Sequence, residues 1–293
     1  MKNKNVKRSL LLNPVTRIIL GLSVCFVVFI VAQNMTSNLL GITNLDKNFR
    51  NFFKGIISSI LVLYTYRLFY KYIEKRSVLE ISTKGIVKNL MLGILIGVVL
   101  QCLTVLVIEL NGGFKVLSIN PVSFIIIPLT VAFSVAIFEE ILIRGILFRI
   151  IEEKLGSYIA LIISAIIFGG LHLMNPNSTF ISATCVAIEG GFLLGAAYIY
   201  SRSLWFPIAI HFAWNFMQSG IFGAITSGNE KTNSLLTTQI TGTKIITGGE
   251  FGPEGTIQAI IFCLIVTLIL MYSNITEDKL IKPYWEKQIY LSV

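Results

Sequence analysis

The stretch VSFIIIPLTVAFSVAIFEEILIRGIL, Val122–Leu147, decides how this chain is read. It begins as an uncharged apolar run and then places Glu139, Glu140 and Arg144 within a turn and a half. A formal charge at mid-bilayer costs about 2.5–3.5 kcal/mol on insertion scales, so three such residues in an apolar segment need a reason. Residues four apart share a helix face, and a glutamate N-terminal to its arginine is the favourable order for an ion pair. Glu140 is therefore expected to neutralise Arg144. Glu139, about 100° round the helix, is left to face a cavity.

Over the whole chain, the 293 residues are 54% hydrophobic and 13% charged. That is about half the usual charged share of a soluble domain. Apolar stretches long enough to span a bilayer recur along the chain. The fold class expected is all-α, a polytopic transmembrane helical bundle of about eight spans, at 18–33, 55–71, 88–110, 122–148, 157–174, 180–200, 204–222 and 256–273. The apolar run Ile18–Ala32 follows a basic leader but lacks a small-x-small cleavage site, and reads as a retained first helix. Gly93 with Gly97, and Gly191 with Gly195, have the spacing that lets helices approach closely. The net charge of +9 invites a nucleic-acid reading. Most of the Lys and Arg fall on one side of the proposed spans, however, so the basic balance follows topology, and no nucleic-acid partner is implied.

With eight spans both termini share a side. Lys2, Lys4, Lys7, Arg8, Lys279, Lys282 and Lys287 assign that side to the cytoplasm of a multi-pass protein of the cell membrane. The loop Gly223–Glu254 is then extracytoplasmic, and its ending TGGEFGPEG reads first as a Gly/Pro turn, second as a lid or substrate contact. Cys25, Cys102, Cys185 and Cys263 lie in four separate apolar segments without a C-x-x-C pair, so packing rather than a disulfide or thiolate site is expected. Three regions are expected: 1–121 with N-terminal helices, 122–222 with the chemistry, and 223–293 with the loop, the last helix and a tail.

The chain holds two histidines, His172 in FGGLH and His211 in HFAWN, both inside proposed spans. Phe168 shares a face with His172, and His211 with Asn215. Any one of these residues could be interhelical glue. Two histidines, two glutamates, an arginine and an asparagine in three clusters make a functional set the better reading. Glu189 could line the same cavity or bond a neighbour's backbone. Glu109 reads as a solvated helix end, Trp205 as an interfacial anchor and Trp214 as packing. Depth poses a problem. Glu139 and His172 come out level, but His211 comes out about 10 Å shallower, at 1.5 Å per residue, unless its helix starts deeper or the fourth helix protrudes through the tail Arg149–Lys154.

A glutamate, two histidines and an asparagine, with no activated Ser or Cys, suit peptide hydrolysis by activated water. Glu139 would be the general base, His172 would hold the water, and His211 with Asn215 would stabilise the oxyanion. A zinc-based alternative would use Glu139, His172 and His211 as a His₂Glu site. The chain lacks an H-E-x-x-H signature, so no cofactor is favoured and the metal stays open.

The three clusters, Glu139-Glu140-x-x-x-Arg144, Phe168-x-x-x-His172 and His211-x-x-x-Asn215, resemble the CPBP family of intramembrane proteases, also called Abi or CAAX-protease-like. The resemblance covers about residues 122 to 220. It implies a helical fold with its site inside the bilayer, opening to the cytoplasm. It implies catalytic Glu139, completed by His172, His211 and Asn215 and supported by Glu140, Arg144 and Phe168. Relatives include the type II CAAX prenyl endopeptidases, and bacterial members are associated with peptide maturation and bacteriocin immunity. The expected activity is endopeptidase cleavage of a membrane-associated, lipidated or hydrophobic peptide or protein. The alternative is a non-catalytic immunity or scaffold protein that binds a peptide or membrane partner. A transporter is a distant third, because matched interrupted halves are missing.

Overall fold

The computed structural model describes residues 12–289, so Lys2, Lys4, Lys7 and Arg8 lie outside it. Its helices begin where polar caps meet apolar runs. Asn13 caps α1 (Pro14–Gly41), accepting from the Val15 amide at 2.9 Å, with proline at the first position, where no donor is needed. Asp46 caps α2 (Lys47–Phe69) in the same way, at 2.7 Å from the Asn48 amide. Next come α3 (Ile86–Leu110) and a strand, β1 (Phe114–Ile119). The helix α4 (Ile126–Glu140) passes without interruption through a wider π-helical coil, Ile141–Phe148, into α5 (Arg149–Leu171).

A capping box of Thr179 and Ser182 starts α6 (Phe180–Val186). Through a second π-helical coil, Ala187–Leu193, it continues as α7 (Leu194–Ser201). The helix α8 (Trp205–Asn215) ends in a third such coil, Phe216–Ile221. A strand β2 (Leu236–Ile240), the long α9 (Ile257–Thr276) and a short α10 (Tyr284–Ile289) complete the chain. The two strands pair antiparallel, Phe114 opposite Ile240. This ribbon is an addition to the all-α expectation and caps one end of the bundle.

Six helical stretches among the described residues are long and apolar enough to cross a membrane. One of them, Val122–Met174, is 53 residues long and covers two expected spans, because Gly156 adopts a φ of 81° and breaks the helix there. The six do not include the α8 stretch, where 11 residues of α-helix are followed by 6 of wide coil. The outer faces carry exposed Ile19, Phe26, Leu95 and Leu268, as lipid-facing surfaces do. The molecule is an all-α polytopic bundle.

Close helix contacts position the chemistry. A Cβ on Gly93 would stand 2.6 Å from the Ala209 Cβ. One on Gly97 would stand 2.6 Å from the Ile210 carbonyl and 2.8 Å from the Ala213 Cβ. The first Gly pair therefore seats α3 against α8, whose face carries His211. The second pair works on α5: a Cβ on Gly191 would meet the Ala165 backbone at 2.6 Å, and Gly195 lies on Leu161. Cys25, Cys185 and Cys263 are buried, Cys102 is half-buried, and all four are free thiols, in keeping with packing roles. Glu109 is exposed at the end of α3.

One end of the bundle is a charged belt. Arg17 of α1 binds Glu74 at 2.6 Å and Glu153 at 2.8 Å, and Arg149 binds both acids from the other side. Beside them Glu80 accepts from Arg76 and from the Tyr66 hydroxyl. Burial opposes ionisation of Glu80, but the Arg76 hydrogen bonds and charge, helped by Tyr66, hold its carboxyl below the usual glutamate range. At the same end the Trp205 indole donates to the Ser82 carbonyl at 3.1 Å.

Candidate functional site

Glu140 and Arg144 form the ion pair that their spacing predicts, at 2.8 Å, with both side chains fully buried. The guanidinium is satisfied further by the carbonyls of Gly190 (2.5 Å) and Gly191 (3.1 Å) and lies 5.0 Å from the Phe168 ring. This one arginine therefore ties α4 to the π-helical coil between α6 and α7. Phe168 also packs on both imidazoles, its centroid 4.8 Å from His172 and 6.2 Å from His211.

The Glu140 Oε1 that accepts from Arg144 also accepts from His211 Nδ1, at 3.2 Å. An ionised carboxylate can only accept, so Nδ1 carries the hydrogen and Nε2 is left on the side of Glu139. His211 Nε2 stands 3.9 Å from Glu139 Oε2, too far for a direct hydrogen bond. That oxygen is buried without a hydrogen-bond partner, although the Glu139 side chain as a whole is 29% exposed. His172 donates from Nδ1 to the Phe168 carbonyl at 2.8 Å, which a carbonyl permits in one direction only, so a neutral ring keeps its lone pair on Nε2.

These groups surround two adjoining chambers. The larger, about 320 Å³, is lined by Glu139, His172, His211 and Asn215 together with Val131, Val135 and Ser219. The smaller, about 50 Å³, shares His172, His211 and Asn215 and adds Phe168, Glu189, Trp214 and Glu254. All four residues expected to act on substrate thus border the larger chamber, and Phe168, Glu140 and Arg144 stand behind it. His211, expected to be shallow, lies level with Glu139. The fourth helix extends far enough for Glu152 to pair with Arg202 at 2.7 Å, just ahead of α8. It is His211 rather than His172 that lies within 4 Å of both glutamates.

Glu254 is the residue that sequence reasoning missed. It sits in the glycine-rich ending of the long loop, where no helical period marks it. Gly248, Gly249 and Gly252 all have positive φ, so the turn reading of that ending holds. The turn also carries Phe251 into a buried cluster with Phe168 and Val186, and Glu254 into the small chamber, where it accepts from the Ser227 amide. Burial pushes its carboxyl above the usual range, and the Ser227 hydrogen bond and nearby His172 offset this only in part. Glu189 lines the same chamber, and its Oε1 has no partner. Trp214 is buried, packing in a cluster with Leu100 and Cys263.

The large chamber's rim comes from Asn175, Asn229, Glu230 and Thr232 and from the exposed apolar Val131 and Leu171. These belong to the end opposite the charged belt. A cytoplasmic belt and a site that opens to the cytoplasm are therefore incompatible in this geometry. No group of three His, Cys, Asp or Glu side chains among the described residues is arranged to hold a metal ion.

No curated protein matches the chain, and no solved structure does. The sequence profile of the family described as type II CAAX prenyl endopeptidase Rce1-like matches residues 121–217. That segment runs from the start of the fourth expected span through His211 and Asn215 and holds all three polar clusters. Over residues 121–217, about a third of its length, the chain is similar to the type II CAAX prenyl endopeptidase Rce1-like family.

Proposed function

We propose that the protein is an endopeptidase that hydrolyses a peptide bond in a membrane-associated, lipidated or hydrophobic peptide, using water activated by Glu139. The observation that carries this reading is the convergence of Glu139, His172, His211 and Asn215 on one chamber of about 320 Å³, within the size range of small-ligand sites. In this scheme Glu139 takes a proton from water, and the resulting hydroxide attacks the scissile carbonyl. The lone pair on His172 Nε2 accepts from that water and holds it in line. The Asn215 amide and doubly protonated His211 donate to the oxyanion, each donor worth roughly 10²–10³ in rate. Glu139 then passes its proton to the departing amine. Glu140 and Arg144 position His211 and touch no substrate.

The rim's mixture of exposed apolar and polar side chains suits a substrate that lies partly in lipid. We place the charged belt in the cytoplasm by its arginines, so the rim faces the opposite side and the substrate enters from there. The test compares membrane peptides from cells that express wild type or Glu139→Gln at matched, folded levels. Fragments produced by wild type alone support proteolysis. If fragments are identical and every phenotype survives both Glu139→Gln and His172→Ala, the protein acts by binding instead.

A further inference from the structure

The small chamber contains two acids, and its basic side chains are the two histidines, of which His211 is bonded to Glu140. Glu189 is 6% exposed and Glu254 4% exposed, and the two carboxyls interact electrostatically. Glu189 Oε1 is buried without any hydrogen-bond partner. No Lys or Arg lines the chamber. Arg144, which bonds the Gly190 carbonyl in the chamber wall, is committed to Glu140 and to the Gly190 and Gly191 carbonyls. His172 directs Nδ1 to the Phe168 carbonyl and has no direct bond to either acid. A buried carboxyl that makes no direct ion pair is costly, so two in one chamber mark a site that is incomplete as it stands.

The remaining walls suit a cation. Phe168 and Trp214 present aromatic rings, the second being the side chain that attracts cations best. A volume of about 50 Å³ holds several water-sized spaces. An ammonium group with its terminal methylene fits, and a bulky quaternary ion does not. The chamber also shares His172, His211 and Asn215 with the chamber of Glu139, so a group seated in it lies next to the bond to be cut.

We propose that Glu189 and Glu254 form a specificity pocket for a primary ammonium group of the substrate, a lysine side chain or a free amino terminus close to the scissile bond. This assignment rests on the protease reading for its meaning, but the binding it asserts is independent of catalysis. The pocket is a selectivity device: correct substrates bring the missing positive charge, and neutral hydrophobic peptides leave both acids unpaired.

Two measurements on the full chain in detergent test it. The first is thermal unfolding with n-butylammonium chloride, against sodium chloride plus butanol at equal concentration. Butylammonium is expected to raise Tm in wild type and in Glu139→Gln, with no rise in the double variant Glu189→Gln, Glu254→Gln. Tetrabutylammonium, too large for the chamber, is expected to have no effect on any of them. Equal shifts with butylammonium and the control, or an equal butylammonium shift in the double variant, overturn the pocket. The second takes peptides cleaved by wild type but not by Glu139→Gln and replaces each lysine with norleucine. One replacement is expected to lower kcat/KM at least tenfold, mainly through KM, and the double variant is expected to lose that discrimination. Efficient cleavage with no lysine or amino-terminal dependence refutes the pocket and leaves the protease reading intact. Absence of any cleaved peptide sinks the protease reading, and the butylammonium shift then decides the pocket alone.

Discussion

Glu140→Leu strands a buried cation. Arg144 is fully buried, and Glu140 supplies its only carboxylate at 2.8 Å, the other bonds going to carbonyl oxygens. Removing one partner of such a pair costs about 3–5 kcal/mol, because the remaining charge has no water to turn to. Replacing both, as Glu140→Leu with Arg144→Met, removes the charge along with its partner and is expected to recover most of that loss. The cycle should then give a coupling energy above about 2 kcal/mol. Neutral interhelical hydrogen bonds in a bilayer reach no more than about 1.7 kcal/mol, so the value separates an ion pair from ordinary glue. Denaturant unfolding in mixed micelles reads it. The double variant should still be inactive, because His211 Nδ1 loses the Glu140 oxygen that orients the ring. A single Glu140→Leu that costs under 1 kcal/mol, or a double variant that costs the plain sum, would refute the reasoning.

Gly97→Val should destabilise the fold by about 1–3 kcal/mol or more, because its side chain meets α8 backbone that cannot yield, while Gly170→Ala, with nothing within 4 Å, should be neutral or better; thermal unfolding of both decides. Glu139→Gln should abolish cleavage while leaving Tm within a degree or two, since its Oε2 makes no hydrogen bond that the change would break. Glu80 is held below the ordinary glutamate value of about 4.3, so its stabilising share is full above that value and is lost as pH falls through its depressed pKa. Acid-unfolding curves of wild type should therefore be steeper below pH ~4.3 than those of Glu80→Gln. Asn229→Cys at the rim should react with an impermeant maleimide added outside intact cells, and labelling only after lysis would reverse the orientation proposed here.

Much of the bundle was legible because lipid-facing helices must be apolar throughout, and hydropathy reports that directly. The Glu140–Arg144 pair was legible because one helical turn fixes it. What was illegible depends on departures from the 3.6-residue period. Besides the one at Tyr70–Glu74, π-helical coils start just after Glu140, enclose Glu189 and start just after Asn215. Each rotates the helix downstream of it by an amount that no periodic template anticipates, and such coils often lie near functional sites. The corner at Gly156 falls between the expected spans 122–148 and 157–174, but its direction depends on one backbone angle. Glu254 was invisible because its burial comes from loop contacts far apart in sequence, Asn175 to Ser227 and Asn177 to Gly228. The Gly93–Gly97 spacing carried little weight on its own, because pairs at that spacing are common. Its meaning lies in Ala209 and Ala213 on the facing helix.

The seam at Gly156 sets an order of events. Ser157 donates its amide to the Ile281 carbonyl at 2.9 Å, and the Ile281 amide donates back to the Ser157 hydroxyl at 2.8 Å. A side chain at Gly156 would collide with Ile281 and Pro283, and Arg202 bonds the Lys279 carbonyl. The corner between the Glu139 helix and the His172 helix is thus fastened by residues that leave the ribosome after every member of the site. During synthesis the two halves of the site enter the membrane with that corner still unfastened. A nascent chain is therefore latched only once residues 279–283 have emerged, which postpones the finished geometry, and any chemistry it performs, until translation has passed them.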